Sequence, residues 1–369
     1  MNPRSGKSAK VLVGFSVVAL AAVAAALSLR SGRTIPTPER IPRIWASTGA
    51  AIAETDSLAV CGMPDGSVRL FATCKKGHRI DVFDAATGKF LKSFGTPGSG
   101  PGRLNRPNGI VAVRFPPAPN AQAARHAVMV IERDGARVQA FWADTFAPAG
   151  SFGSDLLVRP YGGAVHYGPE GITLYVTDAK APNDECVLEY RIDRNGEQVT
   201  ARFVRRIGDS GGDGVVELPE SIAVDAKLDR LLICDEENND VKVYTRAGQF
   251  NGTVFAVGLI DGDPEGIEIV EGLGREGVVI LTGQEDEITN WFVFDRRDYA
   301  LLGAFTGRDK IANTDGICVH PAPFGPFTGG ALFAVNDDAD IHAFDLADIQ
   351  RLLTRWKGAA GAGTTQRAD

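Results

Sequence analysis

The chain has 369 residues, 44% of them hydrophobic and 23% charged, with a formal net charge of −7. That length and apolar fraction support a large core, enough for two or three ordinary domains or one large repeat fold. The acidic balance, with no run of like charges, argues against nucleic acid as a partner, because duplex binding needs a clustered basic surface.

The N-terminal ten residues carry Arg4, Lys7 and Lys10, and Val11 to Leu29 is an uncharged apolar run that closes at Arg30. At about 1.5 Å per residue this run just spans a bilayer. The small residues Ala22 to Ala26 also suit cleavage. Residues 1–30 therefore read as a signal peptide or an N-terminal membrane anchor. Either one places the rest of the chain outside the cytoplasm, periplasmic or secreted, with a membrane involved only through residues 11–29. Residues 31–40, rich in Ser, Thr, Pro and Arg, read as a linker.

From residue 41 to 356 the pattern is all-β. A strand ending in an aromatic, followed by a turn and an outer strand, first occurs as Ile80-Asp81-Val82-Phe83 and then Thr87-Gly88-Lys89-Phe90-Leu91. The same aromatic position recurs as Phe141, Tyr190, Tyr244, Phe294 and Phe344, at spacings of 58, 49, 54, 50 and 50 residues. A period near fifty holding four short strands is a propeller blade. The expected fold is a six-bladed β-propeller of four-stranded blades. Its last unit lacks an outer strand, which Arg43-Ile44-Trp45-Ala46 supplies, closing the ring and removing a sheet edge. Helical periodicity is confined to Leu346–Leu353, and residues 357–369 read as a disordered tail.

The five cysteines show no metal-binding spacing. Cys61 and Cys74 flank a short turn and are candidates for a disulfide in an oxidising compartment, the alternative being that most of the five are small buried residues at strand ends. His78, His126, His166, His320 and His342 are scattered and read as loop or strand-surface residues, and no serine stands in a G-x-S-x-G context.

Charge gathers at the strand starts. Asp263-Pro264-Glu265-Gly266 sets two carboxylates at the mouth of one strand, and the position recurs as Asn108-Gly109, Tyr161-Gly162, Glu220-Ser221 and Asp315-Gly316. Loops after the second strands add Lys75-Lys76, Arg133 and Lys180 on one side. On the other they add Glu236, Gln284-Glu285 and Asn336-Asp337-Asp338. The expected site is thus a basic arc from blades one to three facing an acidic arc from blades four to six. Carboxylates crowded at one mouth repel unless cations lie between them. Oxygen ligands without a His or Cys cluster point to Ca²⁺ before Mg²⁺. The facing Lys and Arg residues supply donors for an oxyanion. Together these groups describe phosphoryl transfer to water.

These residues resemble the β-propeller phytases, six-bladed calcium-dependent enzymes acting on myo-inositol hexakisphosphate. The likeness covers roughly residues 54–353. It rests on Thr73-Cys74-Lys75-Lys76-Gly77, Glu132-Arg133, Pro160-Tyr161-Gly162, Lys180, Glu220, Glu236, Asp263-Pro264-Glu265-Gly266, Thr314-Asp315-Gly316-Ile317 and Asn336-Asp337-Asp338. The first blade departs from the family, reading Thr55-Asp56-Ser57-Leu58-Ala59-Val60 where an Asp-Asp-Pro-Ala-aromatic segment is usual. The resemblance implies several Ca²⁺ ions held by Asp56, Glu220, Glu236, Asp263, Glu265, Asp315, Asn336 and Asp337. It implies phosphate binding by Lys75, Lys76, Arg133, Arg159 and Lys180, and catalysis by Tyr161, Glu220, Asp263 and Glu265 through a metal-bridging hydroxide. The expected function is a monomeric phosphomonoesterase with a small phosphorylated substrate. The alternatives are a non-catalytic propeller that binds a ligand or protein partner, and a Ca²⁺-dependent lactonase of the gluconolactonase type.

Overall fold

The computed structural model describes residues 36–51, 53–117 and 124–362. The apolar run 11–29 and the chain beyond 362 lie outside the described residues. Among those described, no helix is long and apolar enough to cross a membrane.

Among the described residues six sheets succeed one another along the chain, five of four strands and one of five, and each inner strand packs on the next, that of the last sheet on that of the first. The fold is a six-bladed β-propeller. The inner strands are Thr55–Gly62, Pro107–Phe115, Pro160–Gly168, Pro219–Asp225, Asp263–Val270 and Ile317–His320 in blades one to six.

Strands buried on both faces read as near-continuous apolar runs, and Leu231–Cys234 and Val278–Leu281 have this form. Their side chains fill six clusters, each drawing on two adjacent blades, so the core is a set of radial wedges rather than one centre. The repeated aromatics belong to these wedges: Phe83, Phe141, Tyr190, Tyr244, Phe294 and Phe344 are all buried. Each large side chain so buried contributes about 1.5–3 kcal/mol.

Blade six is completed from the N-terminal side. Trp45–Ala46 pairs antiparallel with Asp340–Asp345, Trp45 opposite Ala343, and the Trp45 ring lies 5.5 Å from that of Phe333. Glu39–Ile41 extends blade five by parallel pairing with Leu301–Gly307, so the segment read as a linker already forms a strand at Glu39. Trp356 Nε1 donates to Glu39 Oε1 at 2.9 Å and anchors that strand. Trp356 belongs to a C-terminal helix, Leu346–Ala362, which continues into the stretch read as a disordered tail. Leu346, Ile349, Leu352 and Leu353 recur at helical spacing and are buried against blades five and six. Asp345 starts the helix by accepting from the Ala347 amide at 2.9 Å.

The five cysteines are free and buried. Cys61 stands opposite Arg69, whereas Cys74 stands opposite Thr55 at the far end of the same hairpin. Six residues of strand separate the two, about 20 Å at the rise of a β-strand, which is beyond any disulfide. Two of the histidines expected at the surface, His166 and His342, are buried, and none lines the site described next.

Candidate functional site

One local pattern stands at the start of the inner strands, and just before that of blade six: Pro or Thr, then a variable residue, then Gly or Ser, as Thr55-Asp56-Ser57, Pro107-Asn108-Gly109, Pro160-Tyr161-Gly162, Pro219-Glu220-Ser221, Pro264-Glu265-Gly266 and Thr314-Asp315-Gly316. In blades one to five this pattern is a β-bulge. Two inner-strand residues, such as Asp56 and Ser57, oppose one residue of the second strand, such as Thr73. A bulge breaks the two-residue alternation and re-aims a side chain. Here it sets the variable residue at the lip of the central channel.

The bulge leaves backbone groups without ladder partners, and a buried amide must be satisfied. In blade one the Thr73 hydroxyl accepts from Ser57 N at 2.9 Å and donates to Asn108 O of blade two at 2.8 Å. In blade three Thr177 repeats this, accepting from Gly162 N at 2.8 Å and donating to Glu220 O of blade four at 2.7 Å. The glycine after the variable residue allows the blades to approach. A Cβ on Gly109 would lie 2.2 Å from Tyr161 O, and one on Gly316 would lie 2.5 Å from Asp56 O.

The six variable residues, Asp56, Asn108, Tyr161, Glu220, Glu265 and Asp315, thus converge on one cavity of about 200 Å³. Lys75, Arg133 and Glu236 reach the same cavity from the ends of second strands. Beneath it runs the channel, about 310 Å³, whose side chains are small or apolar apart from Ser57, Ser221 and Glu268.

Glu220, Glu236 and Glu265 form a three-carboxylate cluster whose ligand oxygens lie within 4.8 Å of one another. Burial, reinforced by Glu265 and Glu236, raises Glu220 well above the carboxylate range. Glu265 is raised by burial and by Asp315 and Asp56. Asp56 is pushed up to about 7 by burial, against the opposing pull of Lys75. Groups with such shifts bind a cation at the expense of a proton. Tyr161 is raised by burial and by Glu220 and keeps its phenolic proton. The all-oxygen donor set fits Ca²⁺.

The division into basic and acidic arcs does not hold in the structure. Lys75 contacts Asp56 and lies 3.3 Å from Asp315 Oδ2, so this lysine sits among the acids instead of facing them. Asp315 also accepts from Gln284 Nε2. Lys76 is 76% exposed and lies 3.3 Å from Glu54, and Lys180 is exposed. Neither lines the cavity. Arg133 does line it, donating to Asp134 at 3.0 Å with its guanidinium 6.0 Å from the Tyr161 ring centre. Arg159 stands outside the lining, 5.8 Å from the same ring.

Asp263 also stands outside the lining. It is raised by burial and by Asp286, and it adds to the field on Glu236. Asn336 is occupied by its own turn, accepting from Ala312 N at 3.2 Å and donating to Asp340 at 2.7 Å, and Asp337 is exposed. The member of that segment that approaches the site is Asp338, whose charge adds to the rise of Asp315. Asn108 had appeared among the recurring strand starts without a role. The cue to it was its place in the repeated pattern.

No protein-family model matches the chain, and no curated protein matches it in sequence. Solved structures with a similar course of chain include BBS1N in complex with ARL6DN, at 11% identity over 82% of this chain and 97% of the other, with a TM-score of 0.49. A virginiamycin B lyase from Staphylococcus aureus is similar at 14% identity over 81% and 97%, TM-score 0.45. A luciferin-regenerating enzyme is similar at 12% identity over 84% and 94%, TM-score 0.48. Their functions differ from one another, and likenesses of this degree assign none to this chain.

Proposed function

We propose that the protein is a Ca²⁺-dependent hydrolase of phosphomonoesters acting at the channel mouth. The observation that carries this reading is the three-carboxylate cluster of Glu220, Glu236 and Glu265 in one cavity with Tyr161 and Arg133. Bound at the cluster, a hard divalent cation supplies neutralisation of phosphoryl charge and acidifies a water. The protein's own groups do the rest. Arg133 offers a planar fork of donors to the non-reacting oxygens. Tyr161, held protonated, donates to an ester or phosphoryl oxygen. Lys75 offsets two carboxylates, Asp56 and Asp315, and so limits the negative potential an incoming anion must cross.

A second reading, a Ca²⁺-dependent lactonase, is favoured by the engagement of Lys75 and the outward placement of Lys76, which leave few cations for phosphate. The deciding experiment measures phosphate release from inositol hexakisphosphate and from an aryl phosphate, and opening of an aldonolactone, with Ca²⁺ titrated against chelator. Calcium-dependent phosphate release supports the first reading. Lactone opening without phosphate release replaces it with the second, and inertness toward all three substrates overturns both.

A further inference from the structure

The residue just before each repeated aromatic is Val82, Ala140, Val243, Val293 or Ala343 in five blades, all fully buried, and Glu189 in blade three. A carboxylate at a core position is costly unless paired, and a repeat broken in one blade calls for a local reason. Glu189 accepts from Arg205 Nε at 2.7 Å, and the same guanidinium donates to Ala247 O at 2.6 Å and Arg246 O at 2.5 Å in blade four. Instead of being filled at this end, the wedge between blades three and four holds a cavity of about 350 Å³, larger than that at the mouth.

The cavity lies toward the face opposite the mouth. On the inner strand of blade three Tyr161 stands at the start, and His166, which lines the cavity, stands near the end, about 15 Å away at the rise of a strand. Cross-strand pairing builds the wall. His166, Thr173 and Arg191 stand opposite one another in one row, and Tyr175, Glu189 and Arg205 in the next. Gly168 leaves room beside the imidazole, since a Cβ there would stand 2.8 Å from His166 Nε2. Thr173 and Tyr175 are each 2% exposed and line the cavity, and among the described residues neither hydroxyl has a hydrogen-bond partner.

Three guanidinium groups converge on this wall. Burial and Glu189 push the Tyr175 phenol up to about 12, while Arg246, Arg205 and Arg191 all pull against that rise. Arg205 is fully engaged by the bonds already named. Arg191 uses one nitrogen on Glu170 at 3.2 Å and Arg246 one on Asp229 at 2.5 Å, and these two carboxylates are 84% and 62% exposed. Ion pairs so exposed hold little energy, which leaves both guanidinium groups open to a better acceptor.

We propose that this cavity binds a small polar solute through an oxyanion group, carboxylate or phosphate, held by Arg191 and Arg246 with the Tyr175 and Thr173 hydroxyls as further donors. A guanidinium fork meets either group in two-point contact. The site is independent of the reading of the mouth and stands whichever reaction occurs there.

The test is calorimetric titration of inorganic phosphate and, separately, of succinate into chelator-treated full-length protein, comparing wild type with Arg191→Met, Arg246→Met, Tyr175→Phe and the mouth variant Arg133→Met. Arg191→Met and Arg246→Met are each expected to weaken binding of the preferred anion by at least about tenfold, the loss of a hydrogen bond between charged groups. Tyr175→Phe should weaken it by less, and Arg133→Met should bind as wild type does. The anion bound more tightly names the group that the solute carries. Wild-type affinity in either arginine variant overturns the inference, and so does weakening confined to Arg133→Met, which puts the anion at the mouth. Uptake of neither anion by wild type overturns it as well. Should Arg246→Met fail to fold, Arg191→Met decides alone, since Arg191 pairs with the exposed Glu170.

Discussion

Lys75 of blade one lies 3.3 Å from the Asp315 carboxylate of blade six while also contacting Asp56, so one ammonium is clasped by the inner strands of the first and last blades. Burial works against the charge of Lys75, yet Asp56 and Asp315 together raise its pKa and keep it protonated. The lysine therefore acts as a built-in counterion, and its removal has effects that a bound cation can reverse.

Lys75→Ala is expected to lower the stability of the chelator-treated protein by about 3–5 kcal/mol, the usual cost of orphaning a buried charge. Added Ca²⁺ should then raise its melting temperature by more than it raises that of wild type. Thermal melts with and without Ca²⁺ check this. An equal calcium response in both proteins would mean that the lysine and the cation occupy independent fields.

Glu220→Gln and Glu236→Gln should each reduce calcium-dependent phosphate release by at least about tenfold. Because burial raises both carboxyls, with Glu265 and Glu236 adding to the rise of Glu220 and Asp263 and Glu237 to that of Glu236, the same substitutions should leave the metal-free protein as stable as wild type or more so. Lost activity with a lowered metal-free melting temperature would assign these residues to the fold instead of to the metal.

Glu268 gives a pH prediction free of the site. It projects into the channel where the other blades carry Ala59, Val111, Ala164, Ala223 and Cys318, and burial alone pushes its carboxyl up to about 8. A folded-state pKa above the unfolded value means that the folded protein holds the proton more tightly. Its contribution is then complete below about pH 4 and is lost as pH rises toward 8. Glu268→Gln, which mimics the protonated form, should match wild type near pH 4 and exceed it in melting temperature by a margin that widens up to pH 8. A margin that stays constant with pH would refute the assignment.

Gly109→Ala should destabilise the ring by about 1–3 kcal/mol, because its methyl group would meet Tyr161 O at 2.2 Å. Gly211→Ala, at a position with no neighbour within 4 Å and no left-handed backbone, serves as the neutral control. Chemical denaturation of both variants measures the difference.

The blade count was legible in the sequence because the third strand of every blade carries an aromatic that the wedge cores bury. The ring of site residues was legible because every inner strand opens with the same pattern. Which charges enter the site was not. Strict alternation puts Asp263 and Glu265 on one side of the strand. Yet Glu265 and Gly266 share a single partner, Thr282, in the bulge, and only Glu265 lines the cavity. Lys75 and Lys76 look equivalent in sequence. They differ because Lys75 is turned toward Asp56 and Asp315, which belong to blades joined only by tertiary contact. The strand at Glu39–Ile41 escaped notice because its pairing partner lies more than 260 residues away and its own composition is that of a loop.

The pairing of Trp45 with Ala343 has a consequence for how the protein is made. Blade six holds strands from both ends of the propeller, so a growing chain can stack its first five blades but has no closed ring until residues near 343 have been synthesised. The cavity obeys the same order, since Asp56 is made early and Asp315 late. A product truncated before blade six retains most of its core wedges yet lacks the finished mouth, so the capacity to bind at that mouth marks a completed chain.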